Sequence, residues 1–134
     1  KNIFDLARRH PKRLNAGSLE AQLKALEEHT SKVFHDTIEA FKNSDEDLAR
    51  QVMDDYKEDI SADSEKMTDD IIGGTVSDLK SPEAAAVVLY ARFLKRIGSH
   101  SRNMATSIVN PFHRIGYNEK TDKNPGTDII PPSE

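Results

Sequence analysis

The sequence predicts an all-α protein, an up-down antiparallel bundle of three long helices over about 19–42, 45–72 and 82–110. Three observations carry this. Apolar residues recur at three- and four-residue steps in three long segments, the spacing of one helix face. Breakers separate the segments: Asn43-Ser44, then Gly73-Gly74 followed by Ser81-Pro82. The apolar fraction is 36% with five Phe, three Tyr and no Trp, lean for a sandwich or barrel core but adequate for a seam of Leu, Ile, Val, Ala and Met.

Taken in order, a short segment from Asn2 to His10 stops at Pro11, and a polar stretch to Gly17 leads to Ser18, placed to cap the first long helix. Leu19, Leu23, Leu26, Val33, Thr37 and Phe41 form its inward face. Ser44 with Asp47 reads as a capping arrangement for the second helix. The second helix has a thinner apolar line, Leu48, Val52, Tyr56, Ile60, Met67 and Ile71, among many carboxylates, and Gly73-Gly74 ends it. Ser81-Pro82-Glu83 starts the third helix with an N-cap Ser, Pro in the first turn and an acidic residue beside the helix dipole. Its inward face is Ala84, Val87, Val88, Ala91, Leu94, Ile97, Met104 and Ile108. Helices of about 25 residues span roughly 35–40 Å, and short connections force neighbours to run antiparallel. The division expected is 1–17 as a preceding helix tail and linker, 18–116 as the three-helix domain, and 117–134 as a polar, Pro-containing tail.

Composition narrows the function. The net charge is −4 with both signs mixed along the chain, which offers no basic stripe for nucleic acid. No apolar run approaches the roughly 18 residues of a membrane span, so a cytoplasmic protein without membrane insertion is expected. Cysteine is absent, which removes disulfides, thiolate metal sites and Cys nucleophiles. His10, His29, His35, His100 and His113 show no helical metal spacing, and no nucleophile elbow or phosphate loop is present. Enzymatic chemistry is not expected.

Two constellations remain. Asp55 and Asp59, four residues apart, project from one face of the second helix; a hard metal ion, a basic partner or solvent could balance them, and solvent is the ordinary case. The third helix carries Arg92, Lys95, Arg96, Ser99, His100, Arg102 and Asn103, either a surface stripe ion-paired to the acidic second helix or an anion or partner site. The first reading is the simpler one. Gly98, which costs a helix interior about 1 kcal/mol against Ala, points to close packing.

Leu94-Lys95-Arg96-Ile97-Gly98-Ser99-His100-Ser101-Arg102-Asn103-Met104-Ala105 resembles the third-helix signature of the PhoU family of phosphate-uptake regulators, Leu-Glu-Arg-Ile-Gly-Asp-His-x-x-Asn-Ile-Ala. Asp55-Tyr56-Lys57-Glu58-Asp59 matches the family's acidic motif on the preceding helix, and Lys1-Asn2-Ile3-Phe4 looks like the end of a preceding repeat, so the chain reads as a C-terminal repeat. The resemblance implies a non-enzymatic regulator of phosphate uptake and starvation signalling that contacts a phosphate transporter component and a sensor kinase. It also implies a homodimer or pairing with a sister repeat. The alternative is the cytoplasmic PhoU-like domain of a sodium–phosphate cotransporter. Some members bind iron or zinc through paired acidic motifs. In this chain the third-helix acids are replaced by Lys95 and Ser99, so no metal is expected on Asp55 and Asp59, the residues that would otherwise ligate it. Lys95 is expected instead to pair with Asp55 or Asp59, and His100 and Asn103 to serve helix packing.

Overall fold

The computed structural model describes residues 2–9, 13–110 and 116. Helix α1 is Asn2–Arg9, and a 3₁₀ turn at Gly17–Leu19 leads into α2, Glu20–Asn43. The second long helix is α3, Glu46–Asp55, a six-residue π-helical stretch, Tyr56–Ser61, and α4, Ala62–Ile72; α5 is Ser81–Val109. Among the described residues there are no strands. Pro11 and the expected tail over 117–134 lie outside the described residues.

Cross-links fix the directions. Tyr90 on α5 donates to Glu27 on α2 at 2.7 Å, and Thr37 reaches the Ser101 carbonyl at 3.5 Å, so the two helices run parallel. Lys32 reaches Asp55 at 2.7 Å and Ser64 reaches the Ala91 carbonyl at 3.2 Å, which sets α3 and α4 antiparallel to both. The order is up, down, up.

The helix ends differ in detail from the expected caps. Ser18 does not cap α2; its N–H and hydroxyl donate to Asp78 at 2.7 and 2.9 Å, clasping the loop before α2 to the loop before α5. These bonds hold the Asp78 carboxyl below its usual range. The approach is close because Gly17, at φ +53°, carries no Cβ to meet Asp78. Ser44 takes a left-handed conformation that ends α2, and Asp45, not Ser44, caps α3 by accepting from the Leu48 N–H at 3.1 Å. Lys80 occupies the N-cap position of α5, its N–H donating to Glu83 at 3.3 Å, and Ser81 lies within the first turn. Gly74, at φ +76°, closes α4 as expected of a glycine past a helix end.

The core lies between the three columns. Leu26 and Val33 from α2, Val52, Ile60 and Met67 from the second column, and Val87 from α5 are fully buried; each contributes about 1.5–3 kcal/mol by leaving water. Phe41 and Met104 were expected inward, but they stand out in solvent. The reason is angular: Phe41 is four residues past the buried Thr37, a step that overshoots one turn by about 40°, while Ala40 takes the inward place. Buried hydroxyls are satisfied locally, Thr30 and Thr37 each donating to the carbonyl four residues back at 2.7 Å.

Val52, Tyr56, Ile60 and Ser64 are all buried at successive four-residue steps. In an unbroken α-helix such a line would drift about 40° per step. The π-helical stretch, with its wider turn, absorbs the drift and keeps the line on one face.

Candidate functional site

The site residues fall on facing parts of the second column and α5. Gly98 is buried where α5 crosses the π stretch, and a Cβ there would stand 3.0 Å from Ile60 Cδ1, 3.1 Å from Ile60 Cγ2 and 3.1 Å from Tyr56 Cδ2. The glycine serves close packing. Ser99 is buried beside it, while Arg96 and His100 face solvent and Asn103 is half-buried. His100 therefore does not act in core packing; Asn103 accepts from the buried Arg102 at 3.2 Å.

Lys95 pairs with neither Asp55 nor Asp59. Its ammonium contacts Glu65 at 2.6 Å and draws the Glu65 carboxyl below its ordinary range. Asp55 is held from the other side by Lys32 at 2.7 Å, and Lys32 also reaches Asp36 at 2.8 Å. The two carboxylates keep the ammonium well above its usual value. Asp59 sits half-buried in the π stretch. So the acidic column is tied to both neighbours by lysines, one pair from each side, as the complementary charges suggested but through different partners.

Sequence reasoning missed Lys32 and Glu65. The signal for Lys32 was its i, i+4 spacing to Asp36. The reach to Asp55 depends on how the antiparallel columns align, and Glu65 comes into line with Lys95 only after the π stretch has turned the helix.

The residues present do not fit the iron or zinc that the resemblance implies. Asp55 is engaged by an ammonium, the third helix offers Lys95 and Ser99 where hard-metal oxygens would be needed, and among the described residues no three His, Asp or Glu gather to hold a metal.

At the other end of the α2–α5 seam, Ile3, Leu6 and Ala7 of α1 share a cleft of about 370 Å³ with Leu14, Leu23, Ala86, Glu27 and Tyr90. Burial, with the Glu27 bond second, pushes the Tyr90 hydroxyl up to about 12. Near the far end of α5, the buried Arg102 donates to the Gly116 carbonyl at 3.1 Å, and the Gly116 N–H donates to Thr106 at 2.6 Å, so the chain is tied back onto the helix it has just left. Burial lowers the guanidinium's proton affinity.

A family model described as PhoU domain matches residues 23–108, which takes in the three long helices. No curated protein and no solved structure matches significantly. Among the described residues no helix is long and apolar enough to cross a membrane.

Proposed function

This chain belongs to the PhoU family, and from that premise we propose that it regulates phosphate uptake and the phosphate-starvation response through protein contacts, without chemistry of its own. The observation that carries the reading is the family match across all three columns, with the signature string lying on α5. The division of labour within that string agrees with it. Gly98 and Ser99 are buried in the helix crossing, whereas Arg96 and His100 are left outward for a partner. A phosphate transporter component and a sensor kinase are the partners proposed, in the cytoplasm. Pairing with a sister repeat or a second copy is a further expectation of the same reading.

The test is genetic and biochemical together. Cells lacking the gene should misregulate phosphate uptake and starvation genes, and the intact protein should crosslink to a transporter component or kinase in a phosphate-dependent way. Unchanged uptake and starvation response in the deletion strain would overturn the reading.

A further inference from the structure

The cleft beneath α1 carries polar side chains that the regulatory reading does not use. Its walls are largely aliphatic, from Ile3 and Leu6 of α1, Leu14 and Leu23, and it encloses about 370 Å³. A second cleft adjoins it, sharing Arg13, Leu14 and Glu20 and adding Asn15 and Gly17. Apolar walls with a few convergent polar groups, at this volume, are the ordinary make-up of a small-molecule site.

The described charges that line the cleft are Arg13, Glu20 and Glu27. Asp5, Arg8, Arg9 and Lys24 are near in the chain but do not line it. Glu27 is engaged at one end, accepting from the Tyr90 hydroxyl at 2.7 Å. Glu20 lies seven residues earlier on α2, about 10 Å along the helix. There the two clefts meet, and both are lined by Arg13 and Glu20, which among the described residues form no ion pair with each other. Glu20 accepts from the Ala16 N–H at 3.2 Å through one carboxylate oxygen, which leaves the second open. Asn15 accepts from the Gly17 N–H at 2.9 Å through its side-chain oxygen, which leaves its amide hydrogens to donate into the same mouth.

The mouth therefore offers a guanidinium and an amide to an anion and a carboxylate to a cation, beside an aliphatic trough. A simple anion would stand against Glu20, and a simple cation against Arg13; a zwitterion answers both charges. We propose that this cleft binds a free aliphatic α-amino acid of the size and shape of leucine. The ligand carboxylate sits on Arg13 and Asn15, the ammonium on the open oxygen of Glu20, and the side chain on Leu23, between Ile3 and Leu6. Both ligand charges branch from one carbon, which suits a mouth where both protein charges stand together. The carboxylate of Glu27 at the far end fixes the sense, because a ligand carboxylate turned that way would meet a like charge. Occupancy bridges α1 to the α2–α5 seam. The site goes beyond the regulatory reading and does not depend on it.

The test titrates the isotope-labelled full chain and follows backbone amide shifts, which report both affinity and place. Four probes are compared: leucine, isocaproate (no ammonium), isoamylamine (no carboxylate) and glycine (no side chain). Leucine should bind at least about tenfold more tightly than each of the others, since every probe but leucine forfeits a charge-assisted hydrogen bond or the apolar contact. The shifts should centre on Leu23 and Ala86. Arg13→Ala should erase the preference for leucine over isoamylamine, and Glu20→Gln the preference over isocaproate; both residues are exposed, so the core is left untouched. Leucine bound no more tightly than a single-charge probe, affinities indifferent to both variants, or no shifts with any probe would overturn the site. Tight isocaproate with weak leucine would also overturn it, assigning the mouth to a simple anion. None of these readouts involves a phosphate phenotype, so this site and the regulatory reading fail separately.

Discussion

Replacing Gly98 by Ala sets two effects of similar size against each other. In an exposed helix the change would stabilise by about 1 kcal/mol, the difference in helix propensity. Here the new methyl meets Ile60 Cδ1 at 3.0 Å, Ile60 Cγ2 at 3.1 Å and Tyr56 Cδ2 at 3.1 Å, from two residues of the facing column. A terminal methyl alone could swing aside. The branch carbon of Ile60 and the ring edge of Tyr56 cannot do so cheaply, because both residues are buried and held by the π stretch. Overpacking of that kind costs about 1–3 kcal/mol, so the net expectation is a loss of roughly 0–2 kcal/mol, centred near 1. Urea denaturation followed by circular dichroism measures it, with the slope unchanged and the midpoint lowered. Ile60→Ala removes both offending carbons and alone should cost about 2–5 kcal/mol. The double variant should lose less than the sum of the singles, by about 1 kcal/mol. An increase in stability on Gly98→Ala, or strict additivity with Ile60→Ala, would refute the close-contact argument.

Arg102→Ala should destabilise by about 2–3 kcal/mol, since it strips a buried donor from the Gly116 carbonyl and leaves a cavity; thermal unfolding measures it, and Arg102→Met should recover part of the packing but not the bonds. Asp45→Ala should cost about 1 kcal/mol through loss of the cap on Leu48, whereas Ser44→Ala should cost less, a contrast the same melts resolve. The Lys95–Glu65 pair gives a pH signature. The Glu65 carboxyl is depressed when folded, so its stabilisation is present above the ordinary carboxylate range and is lost as pH falls through the lower folded value. Lys95→Met should flatten that part of the acid-stability profile, and because the Glu65 side chain is 62% exposed, the change at neutral pH should be well under about 1 kcal/mol.

Much of this architecture was legible in the sequence because helix periodicity and breaker residues are local signals. The columns ending at Asn43 and Ile72 follow from Asn43-Ser44 and Gly73-Gly74, and the start of the third follows from Ser81-Pro82. What could not be read was what depends on rotation about the helix axis. Phe41 and Met104 looked inward under an average spacing, and only the packed bundle shows Ala40 and Ala105 in the inward places. The ion-pair partners failed for a related reason. Whether Lys95 meets Asp59 or Glu65 is decided by the rotation over six residues, and the π-helical stretch ends between them. The Gly116 tie joins residues far enough apart that no periodic pattern announces it.

The π-helical stretch has a consequence for how the length of this chain can vary. A wide turn holds one residue more than the α-helical turn it replaces. Removing an outward residue there, Lys57 or Glu58, lets the column close into continuous α-helix while Ile60, Ser64 and Met67 keep pointing at the core. Relatives one residue shorter at this place could then share the same three-column interior. Comparing such chains would place the gap in the middle of a helix, where insertions and deletions are ordinarily least tolerated.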